Sequence, residues 1–269
     1  MKPIARIASY LPLLAGIAGC DHFEYHPYDT DIKGDCNINA RNIARIEAAC
    51  ANKRTIRFAM ISDTQRRYDE TELAVEAINA RNDIDFVIHG GDLTDFGLKK
   101  EFMWQRDILN RLHVPYVCLL GNHDCQGTGE EVFGKIFGPA DFAFTASDIR
   151  FVCLNTNAME YDYSHPVPDF GFIENELHAF APPAVRTIFA MHVRPYDFQF
   201  NNNVAKAFEY YVLAFPNPLF CLFGHDHRWI EEDIFNDGMI YYGCPNIAKR
   251  TYILYTVTPD GYSHEQIAF

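Results

Sequence analysis

Five short apolar runs in this chain each end on residues of the kind that bind hard or borderline divalent cations. Residues 55–61 lead into Asp63-Thr64-Gln65, residues 85–89 into Gly91-Asp92, and residues 114–120 into Gly121-Asn122-His123-Asp124. Residues 187–191 are followed at once by His192, and residues 219–223 by Gly224-His225-Asp226-His227. Runs of this length read as strands, and residues 70–81 and 99–112 between the first three have the spacing of helices. Strands alternating with helices imply parallel strands with right-handed crossovers. In such sheets ligands gather beyond the carboxyl ends of the strands, so separate strands deliver all five blocks to one place.

The second half continues the alternation less regularly. Residues 149–154 read as a strand, 172–180 and 204–213 as helices, and from Trp229 onward the chain alternates as strands over 239–242, 252–257 and near Gln266. Residues 37–52 have the spacing of a lead-in helix. There is no repeat of solenoid period and no low-complexity tract.

Imidazole, carboxylate and amide oxygen together suit Mn, Fe(II) or Zn, with Mg a further candidate, whereas a thiolate set would indicate structural zinc. The order of the blocks resembles the calcineurin-like metallophosphoesterase superfamily: Asp-x-His or Asp-x-Gln, Gly-Asp, Gly-Asn-His-Asp/Glu, His, Gly-His-x-His. The resemblance covers residues 54–243, most of the chain. It implies an α/β fold in four layers, an αββα sandwich of two mixed β-sheets flanked by helices. It also implies two divalent ions, one held by Asp63, Gln65, Asp92 and His227, the other by Asp92, Asn122, His192 and His225, with Asp92 bridging. The activity implied is hydrolysis of a phosphomonoester, phosphodiester or pyrophosphate bond by a hydroxide between the metals.

By the same resemblance His123 faces the substrate, and Asp124 beside it is placed to orient the imidazole. Read alone, Gly-Asn-His-Asp is also an ordinary turn capped by its own Asn and Asp side chains. Gln65 departs from the commoner His; a neutral amide is a weaker ligand, so this ion binds less tightly or favours Mn or Mg. Arg66, Arg67 and Arg194 are candidate phosphate contacts, since guanidinium matches phosphate oxygens with paired hydrogen bonds. Lys249 and Arg250 have the same status. Residues 160–166, with Tyr196 and Phe198, read as an aromatic loop beside the site. His89, inside an apolar run, reads as a core residue.

The start of the chain has Lys2 and Arg6 before an apolar stretch over residues 7–19 that is too short, and too broken by Pro12, to span a bilayer. It reads as a signal peptide over 1–19, and Ile17-Ala18-Gly19-Cys20 resembles the bacterial lipobox, with Cys20 as the lipidated terminus. Multiple acyl chains give stable anchoring. Residues 20–53 then form the tether and lead-in helix and residues 54–269 the catalytic domain. The expected place is the bacterial cell envelope, lipid-anchored to a membrane on its periplasmic or cell-surface face. An ordinary thiol beyond a conventional cleavage site is the other reading of Cys20.

The formal charge is −13, from 23 basic and 36 acidic residues. So acidic a chain is a poor general partner for nucleic acid, which argues against a nuclease, while a small phosphorylated substrate remains compatible. The remaining seven cysteines are an odd number, and Cys36 with Cys50 is the expected disulfide. The alternative to an enzyme is a surface lipoprotein that keeps the metal scaffold for ligand capture, a reading motivated by Gln65.

Overall fold

The computed structural model describes residues 26, 28–161 and 164–269. The leader, Cys20 and residues 21–25 and 27 of the tether, together with Asp162 and Tyr163, lie outside the described residues.

Two mixed sheets form the centre. The first contains β1 (Ile56–Ile61), β2 (Phe86–His89), β3 (Tyr116–Cys118), β10 (Thr251–Thr258) and β11 (Gly261–Ala268), in the order β11-β10-β1-β2-β3. The second contains β4 (Phe142–Ala146), β5 (Ile149–Leu154), β6 (Arg186–Met191), β7 (Pro218–Phe223), β8 (Ile230–Glu232) and β9 (Tyr241–Gly243), in the order β4-β5-β6-β7-β9-β8. The expected parallel strands are β1-β2-β3 and β5-β6-β7-β9, and the antiparallel members lie toward the edges.

Three apolar clusters separate four layers. Between the sheets, Phe58, Phe86, Phe144 and Phe151 stack and meet edge-on at centroid spacings of 4.8–5.7 Å. Outside the first sheet pack α2 (Tyr68–Asn79), α3 (Lys99–Leu109) and α4 (Gly129–Ile136), through Val75, Phe102 and Phe133. Outside the second pack α5 (Phe170–His178) and α6 (Ala205–Ala214), through Ile173 and Phe208. This is the expected αββα sandwich.

The lead-in helix is α1 (Ile38–Cys50), which lies across the open edge of both sheets, against β3 and β4. Its Asn39 both donates to the Cys118 carbonyl and accepts from the Cys118 N–H, each at 2.9 Å, and Asn42 donates to the Tyr116 carbonyl at 2.8 Å. Side-chain amides thus take the place of a missing neighbour strand, which covers an edge otherwise open to pairing.

Cys36 and Cys50 are not bonded, and every described cysteine is free. The two lie at opposite ends of α1, a helix of 13 residues and about 20 Å, far beyond disulfide reach. Two elements escape the sequence pattern. α4 follows the Gly-Asn-His-Asp turn and carries two glycines, and β4 is five residues long with alternating burial. Among the described residues, no helix is long and apolar enough to cross a membrane.

Candidate metal centre

The parallel strands point the same way, so their carboxyl ends meet at one rim. Past the ladders the loops keep pairing: Asp63 N–H donates to the Gly91 carbonyl at 3.0 Å, and Thr64 and Gln65 N–H both donate to the Asp92 carbonyl at 2.9 and 3.1 Å. This brings two acids on different strands face to face. The turns are tight: Asp63, Asp92, His225 and His227 all have φ between 55° and 66°. Each such residue costs about 1–3 kcal/mol, and four of them clustered at one rim mark where stability has been exchanged for placement of side chains. Gly121 is required by contact, since a Cβ there would overlap the backbone and carboxylate of Asp92.

Two ligand groups result. Asp92, His192 and His225 offer atoms within 4.8 Å of one another, as do Asp63, Asp92 and His227, so Asp92 belongs to both. Asn122 joins the first group, its Oδ1 lying 3.1 Å from His192 Nε2 and 3.0 Å from His225 Nδ1. His227 Nε2 lies 3.2 Å from Asp63 Oδ1. Gln65 sits by the second group, its Nε2 3.3 Å from Asp92 Oδ2. Its Oε1 is buried with no hydrogen-bond partner, an acceptor waiting for a cation or for a turn of the amide.

The donor set fits divalent ions. His192 Nδ1 lies 2.7 Å from the Gly90 carbonyl, which can only accept, so the proton sits on Nδ1. Nε2 of the neutral ring is then a bare lone pair that faces two oxygens, Asn122 Oδ1 and Asp92 Oδ1 at 3.3 Å. Three acceptors converging in a fully buried place repel one another unless a cation lies among them. Burial by itself lowers the His192 pKa, but Asp92, Asp63 and the Gly90 carbonyl outweigh it and raise it to about 10. With no cation present, the proton on Nε2 does the cation's work.

Several supporting residues carry no motif signal. Asp197 Oδ1 lies 3.4 Å from His225 Nε2 and leaves Nδ1 for the cleft, the arrangement by which a carboxylate orients a metal-ligating histidine. His89 is fully buried; Gly91 N–H donates to its Nδ1 at 3.2 Å, so Nε2–H donates to Thr64 Oγ1 at 2.9 Å. Burial, with His192 nearby, lowers its pKa to about 3 and keeps it neutral. It ties the first two ligand loops together from below. The core reading of His89 is thus right about burial but incomplete about position.

His123 lies at the mouth, its side chain 37% exposed. Asp124 does not orient it, which corrects the expectation from the sequence. The Asp124 carboxylate is fully buried and turned inward, accepting from the N–H groups of Leu93, Thr94 and Gly121 and from the Thr94 hydroxyl. Four donors occupy it, and it fastens the turn. The group facing His123 Nδ1 is Asp95, through its carbonyl at 2.9 Å and its carboxylate at 3.8 Å. The sequence signal was present as Gly91-Asp92-Leu93-Thr94-Asp95, a second acid three residues beyond the one shared by both groups.

Two of the cations around the cleft are engaged. Arg66, 66% exposed, pairs with Asp95 and lies over the Phe96 ring. Arg194 is held by Asp226 at 2.8 Å and lies over the Phe223 ring, so it is committed to the Gly-His-Asp-His turn and not offered to a phosphate. Arg67 is exposed at the start of α2, and Lys249 and Arg250 are exposed after the last ligand turn. Of the aromatic loop, Phe198 is 71% exposed with its ring 6.4 Å from that of His225.

Comparison with known proteins agrees with this geometry. A 3',5'-cyclic-nucleotide phosphodiesterase of a Nostoc species is 24% identical over 174 residues, which cover 62% of this chain and 64% of that relative's length. Among solved structures, GAP50, the anchor in the inner membrane complex of Plasmodium, superposes with a TM-score of 0.62 at 14% identity over 80% of this chain and 85% of its own. A dimetal phosphatase from Danio rerio does so with a TM-score of 0.56 at 12% identity over 80% and 99%. At those identities the match speaks for the fold alone. The family model described as calcineurin-like phosphoesterase matches residues 56–229. With the ligand loops all inside that stretch, the chain belongs to the calcineurin-like phosphoesterase family.

Proposed function

We propose that the centre holds two divalent ions and hydrolyses a phosphoester, with Asp92 as the ligand common to both. The observation that carries this is that, among the described residues, Asp92 alone belongs to both ligand groups, with His192 and His225 in one and Asp63 and His227 in the other. When bound, such a pair supplies Lewis acidity at the phosphoryl oxygens and a water activated near neutral pH. Asn122, His192 and His225 would hold one ion, and Asp63, Gln65 and His227 the other. Nδ1–H of His123 donates to the Asp95 carbonyl, so Nε2 is the nitrogen left to meet substrate; as imidazolium the ring would give its Nε2 proton to the departing oxygen and become the neutral Nδ1–H tautomer that Asp95 holds.

Arg66 and Arg194 are each paired with a carboxylate, whereas Arg67, Lys249 and Arg250 are exposed, so charge leaves the monoester and the diester both open. The test is turnover of bis(4-nitrophenyl) phosphate and of 4-nitrophenyl phosphate by metal-stripped protein reloaded with Mn, Fe(II), Zn or Mg. Two ions per chain with turnover of either ester supports the reading; two ions with no turnover of any ester moves it to the ligand-capture scaffold that Gln65 suggested. We further propose that Cys20 carries a lipid anchor to the bacterial envelope, tested by whether Cys20→Ser leaves the membrane fraction.

A further inference from the structure

A cavity of about 480 Å³ opens between the loop joining β5 to α5 and the loop joining β6 to α6. Its walls include Met159, Pro166, Val167, Phe170, Phe200 and Val204. Both loops also reach the metal centre. Glu160, between the wall residues Met159 and Tyr161, has a carboxyl raised by burial and felt by the charges of His123 and Asp92. Asp197 and Phe198 meet His225, and two residues later Phe200 is in the wall. Met159 N–H donates to the Gln199 carbonyl at 3.3 Å and joins the two loops at the lip. Met159 itself is 62% exposed, an apolar side chain left in water at the mouth of the cleft.

We propose that this cavity is the subsite for the leaving alcohol of the substrate, and that the alcohol carries an uncharged aromatic ring. The inference rests on the phosphoester-hydrolase reading of the metal centre. Three observations lead to it. The wall residue Tyr161 reaches the turn that carries His123, its hydroxyl lying 3.9 Å from Cys125 Sγ. Its volume is that of a small-molecule pocket, and beside the polar Tyr161, His165 and Asn201 its walls offer proline, aliphatic and phenylalanine surfaces, which suit a flat ring. Glu160 lies between the centre and the cavity and repels a second anionic group, which disfavours pyrophosphates and nucleoside polyphosphates as substrates.

The test uses two probes with the same head group and no hydrolysable ester, methylphosphonate and 2-naphthylmethylphosphonate, titrated calorimetrically into the metal-loaded full chain. The ring should tighten binding by about tenfold or more. Val204→Trp, which fills the cavity, should remove that gain and leave methylphosphonate affinity unchanged; the milder Met159→Ala at the exposed lip should reduce the gain in the same direction. Unchanged methylphosphonate affinity shows that each variant is folded. Equal affinity for the two probes in the unmodified protein, or a gain that survives Val204→Trp, would overturn the proposal while leaving the metal centre intact. Failure of methylphosphonate itself to bind would remove the hydrolase reading, and the subsite with it.

Discussion

His123 turns its Nδ1 to Asp95, with the Asp95 carbonyl at 2.9 Å and a carboxylate oxygen at 3.8 Å, while the adjacent Asp124 is spent on backbone N–H groups. The two acids therefore do different work, and substitution separates them. Asp95→Asn keeps the carbonyl that holds Nδ1 but removes the carboxylate charge 3.8 Å from it and the partner of Arg66, so kcat should fall by about tenfold with metal content unchanged. Asp124→Asn places an NH2 group against N–H donors and should cost about 1–3 kcal/mol of stability. Turnover, metal content and urea denaturation on the two variants distinguish these outcomes.

Asp92→Ala removes the one carboxylate common to both ligand groups. Metal content by mass spectrometry should fall toward zero, and turnover by more than about a hundredfold. Gln65→His, restoring an imidazole beside one group only, should raise affinity for one ion and leave the other unaltered. Equal loss of both ions in Gln65→Ala would show that the two positions are not separable.

Metal loading should release protons. Without a cation His192 is held protonated, its pKa raised to about 10 despite burial, yet only the neutral ring can ligate. Below pH 10 each ion taken up at that group therefore displaces one proton, and apparent affinity should rise with pH up to that point. Calorimetric titration at pH 8 in buffers of different ionisation enthalpy reads the proton count directly.

Glu209 on α6 is 4% exposed and accepts the Tyr241 hydroxyl, and burial raises its pKa to about 7. An acid raised on folding binds its proton in the native state where the unfolded chain has already lost it, so its contribution is present at low pH and lost as pH rises through about 7. Glu209→Gln mimics the protonated form. The variant should melt with the parent protein at pH 5 and above it at pH 8.

Asn39→Ala leaves both the N–H and the carbonyl of Cys118 without a partner at a buried edge. The expected cost is about 2 kcal/mol or more, read by urea denaturation, with metal content unchanged.

Much of the fold was open to reading in the sequence because apolar runs and amphipathic stretches are local. The expected strand over 149–154 is β5 as observed, and the others shift by a few residues at their ends. β3 is shorter than its apolar run of 114–120 because its ladder with β2 covers only Tyr116–Cys118, and its free edge is closed by side chains of α1, a contact with no local signature. α4 and β4 were missed where glycines and brevity blur the period. The roles of Asp124, Asp95 and Arg194 could not be assigned in advance, since adjacent residues on a tight turn point in opposite directions and only packing decides which faces the cleft.

The chain by itself determined which residue types stand at the ends of which strands, and hence that carboxylate, imidazole and amide donors would meet at one rim of a parallel sheet. That follows from periodicity and from the rule that parallel strands share a direction. Only the tertiary structure decided which donors share Asp92, that His123 leans on Asp95, that Asp226 binds Arg194, and that two loops far apart in sequence enclose an apolar cavity beside the centre. Those are distances of a few ångströms between residues 28 apart in the chain, as His123 and Asp95, or 103 apart, as His225 and Asn122, and they are fixed by packing and not by any local preference.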